Sequence, residues 1–249
     1  MAATFNPTPR TLMGPGPSDV SPRVLGALSR PTIGHLDPEF VGMMEEVKSM
    51  LQYAFMTENK LTMPVSAPGS AGMETCFANL VEPGDKVVVA QNGVFGGRMK
   101  ENVIRCGGEA VMVEDEWGTV VDPEKVKTAL QANPDAKILA FVHAETSTGA
   151  RSPVDLVRRE IGPGPLLIVD SVTGLGGLPL EVDKWGIDAC FSGTQKCLSV
   201  PPGLAPITFS PRAAQAVADR KTPVQSWYLD VSMLRKYWEE GDGARAYHH

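Results

Sequence analysis

The sequence predicts an α/β fold, a mostly parallel sheet flanked by helices, and three observations carry that prediction. Short apolar runs alternate with helical patterns from Leu61 to Asp170. The runs KVVVA, KILAFVH and LLIVD are continuously apolar, as burial on both faces of a parallel sheet requires. Gly84-Asp85, Gly107-Gly108 and Gly162-Pro163-Gly164 punctuate the units as turns. At 249 residues the chain suits one large domain, close to the size at which a single core stops growing.

Taken in order, residues 1–20 hold Pro7, Pro9, Pro15 and Pro17 with Gly14 and Gly16, so they are predicted to run as an extended arm. Residues 21–249 then form the large domain. From Pro38, the segment PEFVGMMEEVKSMLQYAF places Phe40, Met43, Met44, Val47, Met50, Leu51 and Ala54 at helical spacing, which predicts an amphipathic helix whose methionines pack in the core. There follow a strand over Leu61–Val65, a helix over Ala71–Val81, a strand over Lys86–Ala90 and a helix over Val94–Cys106. The alternation continues with a strand over Ala110–Val113, a helix over Pro123–Gln131, a strand over Lys137–His143, a helix over Pro153–Ile161 and strands over Leu166–Asp170 and Ala189–Phe191. There is no internal repeat or low-complexity tract.

Composition narrows the function. With 23 basic against 29 acidic residues the net charge is −6, so no basic field exists to hold a nucleic acid or an anionic membrane. Cys76, Cys106, Cys190 and Cys197 form no C-x-x-C pair, and His35, His143, His248 and His249 lack ligand spacing, so no metal is expected. Reduced thiols, no apolar signal segment and no spanning run point to a cytoplasmic protein. Cys197 is expected to be a small buried thiol.

Three segments could carry chemistry. Pro68-Gly69-Ser70-Ala71-Gly72-Met73-Glu74 follows a strand and opens a helix, where free N–H groups and the dipole suit a phosphate; the alternative is a tight turn with Ser70 as N-cap. Asp170 ends a buried strand, where sheets of this class display functional groups. Lys196 closes the turn Phe191-Ser192-Gly193-Thr194-Gln195-Lys196, and a lysine held in a pocket becomes a nucleophilic amine able to form a Schiff base. A phosphate loop, an acid for a pyridinium nitrogen and an amine for an aldehyde together suggest a pyridoxal 5′-phosphate site.

With NLVEPGDKVVV, QNGVFGGR, HAETSTG, LLIVDSVTGLGG, SGTQKCL and PPGLAPITFS in order, the chain resembles the class V aminotransferases of fold type I, nearest the alanine-glyoxylate and serine-pyruvate branch. The resemblance implies that Lys196 binds the cofactor aldehyde and shuttles the substrate's α proton, and that Asp170 pairs with the ring nitrogen. It implies that Val172 and Phe95 sandwich the ring, that Gly69, Ser70, Ala71 and Gln195 line the phosphate site, and that Thr146 bonds the ring's polar edge. Tyr247 would reach the phosphate of a partner subunit in a homodimer, and the arm around Gly14-Pro15-Gly16-Pro17 would cross onto that partner. The implied reaction moves an amino group between a small amino acid, alanine or serine, and a small 2-oxo acid, glyoxylate or pyruvate. The family continues past Tyr247 with a small C-terminal domain that this chain lacks, and with it the substrate-carboxylate arginine; Arg98, Arg105, Arg151 and Arg245 do not match its position. Two other readings stand beside it: a cysteine-desulfurase-like lyase, disfavoured by Gln195 beside the lysine, and a non-catalytic domain of the same fold.

Overall fold

The computed structural model describes residues 4–238. The chain runs α1 (Pro22–Leu28), α2 (Pro38–Phe55), β1 (Leu61–Val65), α3 (Gly69–Leu80), β2 (Lys86–Gln91), α4 (Val94–Arg105), β3 (Glu109–Glu114) and α5 (Pro123–Ala132). It continues β4 (Ile138–Val142), α6 (Val154–Ile161), β5 (Leu166–Asp170), β6 (Ala189–Phe191), β7 (Ala205–Phe209), α7 (Pro211–Ala218) and α8 (Val231–Trp238).

The strands form one seven-stranded sheet in the order β1-β7-β6-β5-β4-β2-β3. Neighbours from β6 to β3 pair in parallel, whereas β7 pairs antiparallel with both β6 and β1. Two reversals restore the direction, so β1 runs with the parallel strands and its carboxyl end reaches the same edge as theirs. The chain also leaves β2 for β3 on one side and returns to β4 on the other. Loops after β2 and β4 therefore diverge, which opens the crevice where open α/β sheets bind ligands.

Successive residues of the central strands enter opposite cores, as the period of two demands. Val87, Val89, Ile168 and Phe191 pack with Phe77 of α3 and Met99 of α4. Val88, Phe141, Leu167 and Val169 pack on the other face with Phe55, Val126 and Val157.

Helix α2 forms over the span its periodicity predicts, started by Asp37, whose carboxylate accepts the Glu39 N–H, and by Pro38 in its first turn. Its methionine stripe is a correction: only Met44 and Phe55 are buried, while Met43 is 46% and Met50 55% exposed. The helix lies at the sheet's margin against β1 and β7, so little of its apolar face finds core. Met44 is in fact the first buried side chain among the described residues. The elements α1, β7, α7 and α8 fall outside the strand-helix alternation legible in the sequence. Among the described residues, no helix is long and apolar enough to cross a membrane, and no cluster of His, Cys, Asp and Glu could hold a metal ion.

Candidate active site

Five loops meet at the carboxyl edge. After β1, helix α3 starts with Pro68 in the cap position and no side chain capping it. Ser70 sits exposed inside the first turn and is not the N-cap. Ala71 donates its N–H to the Pro68 carbonyl at 2.8 Å, leaving the first-turn amides ahead of it for an anion at the positive end of the helix. The helix start is seated against the neighbouring loops: a Cβ on Gly69 would lie 3.2 Å from Val172 Cγ2 and 3.4 Å from the Ser192 carbonyl oxygen.

Helix α4, after β2, is capped from a distance. Gly93 has no side chain to offer, and Glu145 Oε2 accepts the Phe95 N–H at 3.1 Å while Ser147 Oγ accepts that of Val94 at 3.1 Å. Glu145 Oε1 in turn accepts from the Ser147 N–H and hydroxyl. A Cβ on Gly93 would fall 2.3 Å from Glu145 Cγ, so this closeness requires glycine. The pairing locks Phe95 to the Thr146 loop, with the Arg98 guanidinium 4.6 Å from the Phe95 ring centre and the Thr146 hydroxyl bonded to that of Thr173. Sequence reasoning missed Glu145; a carboxylate one residue before Thr146 at a strand end was the available signal.

Asp170 ends β5 and is 2% exposed, with Oδ1 accepting the Val172 N–H at 2.8 Å. Burial, the weaker charge of Glu145 adding to it, pushes its carboxyl up to about 7 against the lowering pull of the Val172 bond and of Arg98 and Lys196. The turn after β6 carries Gln195, whose buried Oε1 has no partner among the described residues, and Lys196, whose Nζ donates to the Pro15 carbonyl at 2.6 Å. Thus Gly69, Asp170, Val172, Gln195 and Lys196 gather at the ends of β1, β5 and β6, and Phe95 and Thr146 at the ends of β2 and β4. Tyr247 lies outside the described residues, as do Arg245, His248 and His249. Cys197 is exposed, contrary to expectation: it stands on the turn after β6, outside the core, with its thiol donating to the Thr173 carbonyl. At Pro15 and Ser18 the arm rests on Lys196 of its own chain.

Comparison with known proteins adds the family. The model for aminotransferase class-V matches residues 20–230. The chain belongs to the class-V aminotransferases. It is 41% identical to an (S)-ureidoglycine–glyoxylate transaminase of Bacillus subtilis over 93% of this chain and 60% of that protein. It is 39% identical to an alanine–glyoxylate aminotransferase of Drosophila melanogaster over 96% of this chain and 61% of that protein. The crystal structure of an alanine–glyoxylate aminotransferase from Nostoc sp. superposes with a TM-score of 0.94 at 45% identity, over all of this chain and 65% of that one. The chain spans about 60% of the length of the curated relatives it matches.

Class-V aminotransferases use pyridoxal phosphate, and the residues present fit it. An uncapped helix start suits the phosphate, and Gln195, packed with Gly69 beside Gly193, has a side-chain amide whose N–H groups can donate to it. A buried carboxyl held near 7 suits a ring nitrogen, whose positive charge would favour its ionised form.

Proposed function

We propose that the protein transfers an amino group between a small amino acid, alanine or serine, and a small 2-oxo acid, glyoxylate before pyruvate, working as a homodimer. The observation that carries this reading is the buried Asp170 carboxyl, raised to about 7 and held by one main-chain N–H, at the same sheet edge as Lys196. The relatives named for glyoxylate favour that acceptor. When bound, pyridoxal phosphate supplies an aldehyde for the amine and a ring that delocalises the electron pair left on the substrate's α carbon.

This chain's residues do the rest. The free amides of Gly69 and Ser70 at the start of α3 bind the phosphate, Ala71 lines that turn, and the Gln195 amide N–H groups orient it. Asp170 holds a proton at the ring nitrogen by ionising beside it, and Val172 and Phe95 keep water from the two ring faces. Lys196 Nζ removes the substrate's α proton and returns it one position away. Thr146 orients the ring's polar edge. Gln195, where lyases of the fold carry histidine, supports transfer over elimination. A dimer is supported by the side chains ahead of Met44: Phe5, Met13, Leu25 and Leu28 are all exposed, an apolar surface that a second subunit would cover.

The test is borohydride reduction of the protein mixed with pyridoxal phosphate, followed by peptide mass spectrometry, and an assay of serine or alanine with glyoxylate. A stable adduct on Lys196, lost in Lys196→Ala while cofactor still binds noncovalently, is the expected result. No adduct on the wild-type chain sinks the reading.

A further inference from the structure

The reactive lysine is held by the N-terminal arm. Lys196 Nζ donates to the Pro15 carbonyl at 2.6 Å. Ser18 grips the turn that carries it, its N–H donating to the Gln195 carbonyl at 2.8 Å and its hydroxyl to the Lys196 carbonyl at 2.7 Å. Gly16, at φ +130°, lies flat on the lysine stem: a Cβ there would stand 2.6 Å from Nζ and 2.7 Å from Cδ. Among the described residues, every hydrogen bond from residues 4–20 to the rest of the fold ends on Gln195 or Lys196. The arm buries no side chain, so these contacts are what docks it.

We propose that residues 15–18 are a latch on Lys196, with Pro15 and Ser18 as positioning residues that hold the amine and its turn until a carbonyl compound takes the amine. The proposal rests on the assignment of Lys196 as the reactive amine. One nitrogen cannot keep its bond to the Pro15 oxygen and also attack a carbonyl carbon, so the two engagements compete. Competition at equilibrium is reciprocal: whatever lifts the arm frees the amine, and whatever removes the amine frees the arm.

Both directions can be measured without cofactor. The amine side is read by reductive methylation with formaldehyde and cyanoborohydride, following Lys196 against the other lysines by mass spectrometry. In Gly16→Ala the new methyl forces the arm or the lysine aside, and Lys196 should label about fivefold faster, the worth of one hydrogen bond of ordinary net strength. Ser18→Ala should label faster by a smaller factor and Ser18→Thr, which keeps the hydroxyl, at the wild-type rate. The arm side is read by hydrogen exchange: in Lys196→Met the Ser18 amide, which donates to the Gln195 carbonyl, should exchange several-fold faster than in wild type. Wild-type labelling in Gly16→Ala, or wild-type exchange in Lys196→Met, overturns the latch. Trapping of pyridoxal phosphate on wild-type Lys196 is a separate result, so failure of the latch and failure of the lysine assignment are told apart.

Discussion

Two aspartates, one ending β5 and one just before β6, are buried to nearly the same degree and treated in opposite ways. Asp188, just before β6 at the amino edge of the sheet, accepts from Arg158 Nη2 at 2.7 Å, the Leu167 N–H at 2.9 Å and the Ser210 hydroxyl at 3.0 Å, with Arg212 Nε at 3.3 Å. The Asp170 carboxylate, at the carboxyl edge, accepts one hydrogen bond among the described residues, from Val172. A buried carboxylate surrounded by donors is a structural tie, because its desolvation is offset by the groups it organises. One left short of donors, with its pKa driven upward, is held ready for a cation that the fold itself does not supply. Stability is therefore concentrated at one edge and reactivity at the other.

Removing the tie should have the largest effect. Asp188→Ala leaves Arg158 buried without its counter-charge, and urea unfolding should show a loss of about 3–5 kcal/mol. Asp170→Asn should do the reverse in cofactor-free protein. The folded carboxyl titrates near 7 and the unfolded one near 3.8, so its contribution is full below pH 3.8 and is lost as pH rises to 7. The variant, which cannot ionise, should be more stable than wild type at pH 8 by a few kcal/mol, each pKa unit amounting to about 1.4 kcal/mol. Wild-type stability at pH 8 would contradict the comparison.

His143 sharpens it. Its ring is fully buried with neither nitrogen partnered among the described residues, and burial lowers its pKa from 6.5 to about 4. Protonation is favoured in the unfolded chain, so stability is present above pH 6.5 and is lost as pH falls toward 4. That window overlaps the one in which Asp170 gains stability on acidification, and the two slopes oppose each other. Unfolding free energies of wild type between pH 4 and 6.5 should be nearly flat; Asp170→Asn should expose a fall with acid, and His143→Phe a rise. The smallest effect is Glu145→Ala, which uncaps α4 and should cost about 1 kcal/mol in thermal unfolding.

Much of this was legible in the sequence. Lys196, Asp170 and the Gly69 loop stand at strand ends, and strand ends are readable because continuously apolar runs such as LLIVD stop abruptly at a polar residue. The pairing of Phe95 with the Thr146 loop was not readable, since Glu145 lies 50 residues from the amide it caps. Nor was the exposure of Met43 and Met50: their helical spacing states that one face is apolar, not that anything covers it.

The sequence by itself determined which segments from α2 to β6 become strands and helices and which residues stand near their ends, because periodicity, caps and turn residues act over a few positions. The tertiary structure decided that β1 runs with the parallel strands, that Asp170 stays short of donors while Asp188 is fully bound, and that Pro15 reaches Lys196. Those outcomes depend on strand order and on which loops share an edge, and such long-range contacts leave no periodic trace in the chain.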